Sequence, residues 1–480
     1  MNPTNLPVAI IGAGPVGLAA AAHLNERGVP FVAFEVGDDV AASIRDWGHV
    51  QLFSPWSYNI DPAARRLLES NGWTTPDPGE HPAGGELIER YLEPLALLPE
   101  ISTGLRTNRL VTGITRAGTD KVATRGRGEA PFLVTAEGPH GVERTLARAV
   151  IDASGTWLSP NPVGADGRLA IGERHAGELI ESGIPDVLGR DHRRYARRRV
   201  AVVGSGHSAQ NVVRDLAVLA DRYPGTDVTW IVRRSDPGPM FGGKANDQLP
   251  ERGRLGADAQ HAVDNGAVQL VTGFRTDRIV SGQHGATLVA DDGRHAGPFD
   301  RVVNATGFRP DLSMLSELRV DVDPVLQSTR VLAPMIDPNV HSCGSVPPHG
   351  AAELAHPEPG FYIVGAKSYG RAPTFLLATG YEQVRSVVAE LAGESLLMRR
   401  IRHGPAILPF DRAATGHRRF RRRRAQAVAR CMVHVSDLAG SRAARRGRSP
   451  ARRWRRWAGA GTIDRRAVPE GREGVHSQGG

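Results

Sequence analysis

Cysteine is nearly absent from this chain: two residues in 480, Cys343 and Cys431. At most one disulfide can form, so a disulfide-stapled scaffold is excluded. Too few thiolates exist for an iron–sulfur cluster or a Cys-ligated zinc site. No C-x-x-C occurs, which removes an internal dithiol relay. The 17 histidines show no H-E-x-x-H or other metal-ligand spacing, so no metal is expected. No apolar run approaches the roughly 20 residues that span a bilayer. The first residues carry neither a basic n-region nor a cleavage site, and a cytoplasmic location is the expectation. Lysine is scarce as well: Lys121, Lys244 and Lys367 are the only three among 60 basic residues. So strong an arginine bias matches a high-GC genome, and the basic isoelectric point is weak evidence for a nucleic-acid partner.

The charge is unevenly spread. Residues 399–480 hold 22 arginines, no lysine and 5 acids, whereas the preceding 398 residues carry 38 basic and 46 acidic groups. The body is mildly acidic, and the last stretch loses hydrophobic periodicity. Residues 396–480 are therefore expected to form a disordered basic tail. Its clusters Arg418–Arg424, with Phe420 inside, and Arg452–Trp457 leave binding to nucleic acid or an anionic membrane as the alternative to a solvated extension.

The body reads as a strand, a Gly-rich turn, a helix and a strand, and then repeats. Residues 6–11 form an apolar run, GAGPVG follows at 12–17, residues 18–24 favour helix, and 31–34 form a second strand ending at Glu35. The pattern restarts with the strand 199–203, the turn GSGHSA at 204–209, a helix over 210–220 and a strand over 228–232 ending at Arg233 and Arg234. Further strands are expected at 146–153 and 361–364, and a helix over 381–391. Such a duplication of βαβ units is not a short solenoid repeat.

In a βαβ dinucleotide site one glycine permits the tight turn and a second lets the backbone approach the pyrophosphate. A third, or an alanine, lets helix and strand pack closely. Gly12, Gly14 and Gly17 fit these roles, with Pro15 opening the helix. Gly204, Gly206 and Ala209 fit the looser form, flanked by Ser205, His207 and Ser208. Glu35, 23 residues after Gly12, stands where a carboxylate accepts from a ribose 2′-hydroxyl, as in FAD or NAD. At the equivalent place in the second unit, Arg233 and Arg234 suit a 2′-phosphate and favour NADPH over NADH; a solvated arginine pair is the alternative. Two such sites, acidic first and basic second, imply FAD supplied with electrons by NADPH, with the chemistry lodged in the flavin.

With these residues in place, the chain over about residues 6–395 resembles the flavoproteins with two dinucleotide-binding domains. GAGPVG with Glu35 resembles their FAD fingerprint. Residues 152–155, with Ser154 and Gly155, and 304–308, with Thr306 and Gly307, resemble their paired ATG-type crossovers. Residues 42–47, with Arg45 and Trp47, followed by 52–55, resemble the flavin-proximal stretch of flavin-containing monooxygenases. The whole is similar to actinobacterial flavoproteins grouped with arsenic-resistance genes. Three motifs depart from these families. The monooxygenases' F-x-G-x-x-x-H has only residues 170–176 as a counterpart, with no Phe and His175 one place early. The thioredoxin reductases' C-x-x-C is missing. The Gly-Asp after the last strand is replaced by Gly365, Ala366 and Lys367.

The resemblance implies an α/β fold with two Rossmann-like domains. Residues 1–155 and 308–395 would bind FAD, and an inserted 156–307 would bind NADPH. It implies a monooxygenase that uses O₂ and a C4a-(hydro)peroxyflavin on a small-molecule substrate. The alternatives are an NADPH-dependent reductase serving a protein or quinone-like acceptor, and a low-turnover flavin redox sensor. Lys367 is expected either near the flavin, where it would stabilise negative charge on the reduced ring, or as a loop lysine facing solvent. The amides of a helix starting after Gly380 are expected to aim at the flavin. Phe53, Trp56 and Tyr58 are candidates for a substrate cavity or for core packing, and Lys244, Asn246 and Asp247 for an ordinary surface loop or for the nicotinamide or substrate side. No side chain stands out as a catalytic acid or base.

Overall fold

The computed structural model describes residues 5–243, 247, 249–340, 346–347, 349–372 and 375–394. The basic tail, Cys343, Lys244 and Asn246 lie outside them. Among the described residues the chain folds into two five-stranded parallel sheets and two three-stranded antiparallel sheets.

The first parallel sheet starts with β1 (Val8–Ile11), α1 (Pro15–Glu26) and β2 (Phe31–Phe34). A helix, α2 (Pro62–Ser70), precedes β3 (Leu105–Arg106). An antiparallel meander follows, β4 (Leu110–Arg116), β5 (Phe132–Gly138) and β6 (Gly141–Ala147), before β7 (Ala149–Asp152) returns to the sheet. The second sheet holds β8 (Ile180–Ser182), β9 (Arg199–Val203), α3 (His207–Arg222) and β10 (Asp227–Ile231). After α4 (Pro250–Asp264) come β11 (Gln269–Val271) and a meander of β12 (Thr276–Gly282), β13 (Gly285–Ala290) and β14 (His295–Phe299). Strand β15 (Arg301–Asn304) then rejoins the second sheet. Finally β16 (Phe361–Ile363) pairs with β7, and α5 (Leu377–Leu391) packs on α1.

The strand orders are β16-β7-β1-β2-β3 and β11-β10-β9-β15-β8. Read from the opposite edge, the second order matches the first at four positions; the fifth differs, because β16 follows β7 in the chain whereas β8 precedes β9. In both, the strand before the Gly-rich turn is central, and a meander is inserted before its returning neighbour. The duplication extends to hydrogen bonds. Ser154 Oγ donates to Asp152 Oδ1 at 2.6 Å, and Thr306 Oγ1 donates to Asn304 Oδ1 at 2.7 Å.

Burial explains why these segments take these forms. Strands β1 and β7 are buried at every position, as central parallel strands covered on both faces must be. Helix α1 is buried over Val16–Leu24. Its run Ala19–Ala22 lets it sit close to the sheet on one side and to α2 and α5 on the other. Helix α3 is amphipathic and buries Ala209, Val212, Val213, Leu216 and Leu219, an i, i+3, i+4 stripe. Helix α5 begins at Leu377, so Gly380 lies inside its first turn rather than before it. Its Gly380 approaches Val16 and Phe375, which explains a glycine within a helix. No helix among the described residues is long and apolar enough to cross a membrane.

The two crossings between the sheets, after β7 and after β15, run beside each other. Asn161 N donates to Gly307 O (2.9 Å) and Arg309 N to Ser159 O (3.0 Å). The rings of Trp157 and Phe308 stack across them, 4.5 Å between centroids.

One buried ionic cluster ties the first meander to the chain entering β16. Glu358 accepts from Arg116 Nε (2.7 Å), Arg127 Nη2 (2.9 Å) and the Arg319 amide (3.0 Å). All three side chains that carry charge in it, Arg116, Arg127 and Glu358, are at most 3% exposed. Arg116 also lies over the Phe132 ring, 3.6 Å from its centroid. Removing the shared carboxylate leaves two guanidiniums buried without a counter-charge. Glu358→Ala is therefore expected to cost about 3–5 kcal/mol, read as a lower urea midpoint of unfolding; an unchanged midpoint would mean that water replaces the carboxylate freely.

Candidate functional site

The first Gly-rich turn is forced by close approach. Gly12 has φ +93°, and a Cβ on it would meet Ala153 O and Ser154 Cα at 2.9 Å. A Cβ on Gly17 would overlap the carbonyl oxygen of Gly12, so helix and strand can meet here only through glycine. Gly14 differs: its φ is −77° and nothing lies within 4 Å of where its Cβ would sit. It caps α1 without a side-chain bond, so the first amides of the helix are left for a ligand. Pro15, lacking an N–H, loses nothing at this position.

Glu35 closes β2 against this turn. It is 5% exposed, accepts from Ala13 N (2.6 Å) and Gly37 N (3.2 Å), and lines the cavity above the turn. Burial raises its carboxyl above the ordinary value, and the two amides oppose that rise. Each oxygen keeps a second lone pair that can accept from a ligand hydroxyl.

The cavity has a volume of about 840 Å³, near the upper end of the roughly 300–1,000 Å³ of small-molecule and cofactor sites. Gly12, Gly14, Pro15, Ser154, Gly155, Gly365 and Lys367 line it, and Trp47 stands on its wall. It reaches the start of α3, where His207, Ser208 and Asn211 line it and the His207 ring meets Phe53 edge-on at 5.2 Å. Burial, and then the charge of Arg252, hold the His207 imidazole below its ordinary pKa. Trp157, 6.4 Å from Trp47 and bonded through Nε1 to Asp46 Oδ2 (2.7 Å), also lines the cavity.

Helix α5 presents its start, Leu376 and Leu377, to the same cavity. The amides facing it thus come four residues earlier than the sequence suggests. Of the aromatic candidates only Phe53 lines the cavity; Trp56 is 1% exposed in the core, and neither it nor Tyr58 lines the wall. Asp247 is committed to Arg252 at 2.7 Å.

The second turn repeats the first with one change. Gly204 has φ +135°, and a Cβ there would overlap Ala305 O; the space beside Gly206 is open. Ala209 stands where Gly17 does, so this turn is wide enough for a methyl group. Gly204, Ser205, Gly206, Thr306 and Gly307 do not line the cavity. Arg233 and Arg234 are exposed at the end of β10. Arg233 Nη1 donates to Ala165 O (3.3 Å). Among the described residues neither has a carboxylate within 4.0 Å, whereas the neighbouring Arg275 and Arg294 pair with Asp291 (2.6 Å) and Asp292 (2.8 Å). Arg45 is not brought to the cavity: its guanidinium holds Asp39 and Glu93 at 2.7 Å each. Sequence reasoning placed Asp152 in the first crossover motif without giving it a role, and missed Asp311. Asp311 carries no signal of its own. Among the described residues no cluster of His, Cys, Asp or Glu is arranged to hold a metal ion.

Two parallel sheets, each with a Gly-rich turn opening a helix, define an α/β protein with paired dinucleotide-type folds. The chain belongs to the pyridine nucleotide-disulphide oxidoreductase family, whose description matches residues 9–331; it is an oxidoreductase. Among curated proteins it is similar to flavin-containing monooxygenase FMO GS-OX-like 2 of Arabidopsis thaliana. The identity is 26% over 245 residues, 45% of this chain and 48% of that protein. It is also similar to the probable indole-3-pyruvate monooxygenase YUCCA9 of the same plant, 29% identical over 222 residues, 44% of each chain. The chain spans about half the length of these curated relatives. Among solved structures its fold is similar to the bacillithiol disulfide reductase Bdr of Bacillus cereus (TM-score 0.59, 19% identity, 81% of this chain and 99% of that one). It is similar too to a flavin monooxygenase mutant from Stenotrophomonas maltophilia (TM-score 0.53, 22% identity, 81% and 98%).

The glycines separate packing from ligand contact. Gly17→Ala is expected to cost about 1–3 kcal/mol through overlap with Gly12. Gly14→Ala should leave stability within about 0.5 kcal/mol. Thermal unfolding of the two variants measures this, and equal losses would show that the Gly17 contact relaxes.

Proposed function

We propose that the protein is an FAD-dependent oxidoreductase that takes its electrons from NADPH and acts as a monooxygenase on a small molecule. The observation that carries the reading is the single cavity running from the first turn and Glu35 to the start of α3, the helix opened by the second turn. The residues fit an FAD: the space beside Gly14 admits a diphosphate, the first amides of α1 face it, and Glu35 offers lone pairs to a ribose. FAD would supply the redox chemistry, accepting hydride from NADPH and passing electrons to O₂. The protein's own residues bind and orient. Gly14 and the start of α1 hold an anion, Trp47 and Trp157 cover the site, and Ser208 and Asn211 face it from α3. The domain assignment follows the sheets: residues 1–155 and 308–395 for FAD, 156–307 for NADPH.

The preference for NADPH rests on Arg233 and Arg234, which among the described residues lack a carboxylate partner where neighbouring arginines have one. Losing a charge-assisted phosphate contact costs about 1.5–3 kcal/mol, or roughly ten- to a hundredfold in affinity. The double variant Arg233→Ala, Arg234→Ala should lose its preference by about that factor in steady-state NADPH and NADH oxidation. Equal use of both nucleotides by the parent protein would refute the assignment.

A second reading, a reductase serving a protein or quinone-like acceptor, is favoured by one departure from the monooxygenases. In the stretch 170–176 Glu173 accepts from Val163 N (2.9 Å) and Ala170 N (2.7 Å), a bracing role, and His175 is exposed. Stopped-flow reoxidation decides between them. A monooxygenase reduced by NADPH and mixed with O₂ should pass through a transient whose spectrum differs from the reduced and oxidised forms. Direct return to the oxidised spectrum, with an added quinone reacting faster than O₂, would establish the reductase.

A further inference from the structure

We propose that Lys367 is the ammonium group that binds the diphosphate of the dinucleotide held at the first turn. The proposal rests on the FAD reading above and assigns it a residue. Lys367 stands in the short helical turn Gly365–Tyr369 that follows β16. It is 2% exposed, yet it lines the cavity. Its Nζ lies 2.7 Å from Asp152 Oδ2 and 3.0 Å from Ser154 Oγ. An ammonium has three N–H donors; among the described residues only Ser154 Oγ accepts one in hydrogen-bond geometry, and Asp152 Oδ2 is an ion-pair contact. Ser154 is the residue whose Cα lies 2.9 Å from where a Cβ on Gly12 would sit. Through Ser154 the ammonium stands near the turn, and Gly12, Gly14 and Lys367 line one cavity.

The position is held from behind. Gly365 N donates to Gln383 Oε1 (2.8 Å), Gln383 Nε2 to Ser368 Oγ (3.0 Å), and Ser368 Oγ to Gly365 O (2.7 Å). The other titratable groups on the cavity wall are Glu35, Arg109, His207 and Asp311. Arg109 is spent on Glu143 at 2.7 Å. Asp311 is held below the ordinary carboxylate range first by the Ser313 amide, with Lys367 the smallest contributor.

The duplication supplies a control within the molecule. Asn304 occupies in the second sheet the place of Asp152 in the first, and its Nδ2 donates to Asn161 O (2.7 Å). A neutral amide suffices there, so the fold does not require a charged pair at this position. The desolvation of a buried ammonium and carboxylate offsets much of their attraction, so the pair is weak evidence of a purely stabilising role. The charge added in the first half alone serves a ligand.

The test uses purified protein with its bound FAD and compares the affinities of FAD and riboflavin, which lacks the diphosphate, by displacement. Lys367→Met and Lys367→Gln should lower the FAD-to-riboflavin affinity ratio by about ten- to a hundredfold, with riboflavin affinity unchanged. Retained riboflavin binding shows that the variants are folded. An unchanged ratio in both Lys367 variants overturns the assignment. An equal loss for FAD and riboflavin overturns it as well, because it moves the ammonium to the flavin ring. A parent protein that takes up no FAD overturns the FAD reading itself.

Discussion

The rest of this structure depends on one contact, the approach of Gly17 to the carbonyl of Gly12. It brings the first turn of α1 down onto the end of β1, and this sets where the helix amides point. Glu35 then clips β2 to the same turn through Ala13 N, and the crossover after β7 closes on Gly12 from the other side. Everything that faces the cavity floor takes its position from backbone atoms within a few ångströms of each other. Side chains can vary around such a frame, because the frame is made of main chain.

The two halves show what happens when one such frame is used twice. The order of four strands, meander insertion and the hydroxyl-to-strand-end hydrogen bond are shared. The differences are few. Gly17 is matched by Ala209, Asp152 by Asn304, and Glu35 by Arg233 and Arg234. The first half is thereby tight and carries a buried charge pair, while the second is looser and presents exposed guanidiniums. Family membership, through residues 9–331, accounts for the frame.

Much of the frame was legible because it depends on local rules. The strands 31–34 and 199–203 stand at the expected residues, and both turns open helices. Boundaries set by tertiary packing were less legible. The last helix starts at Leu377 because its first turn packs against Val16, a contact no local pattern shows. Arg45 looked like a ligand-binding residue, but Glu93, 48 positions away, meets its guanidinium. Asp152 was read only as part of a motif, because its partner Lys367 arrives from beyond the second sheet, 215 positions later in number. A single sequence reports what each residue is; such pairings are decided by which strands become neighbours.

The paired crossings have a mechanical meaning. A single covalent link between two bodies is a swivel, free to twist. Here two links run side by side, laced by backbone hydrogen bonds and by the Trp157–Phe308 stack, an aromatic contact of about 0.5–1.5 kcal/mol beyond its buried area. Such a strap opposes twisting more than one segment would. Because Trp157 is also part of the cavity wall, the ring that laces the strap is at the same time a surface that a ligand would meet.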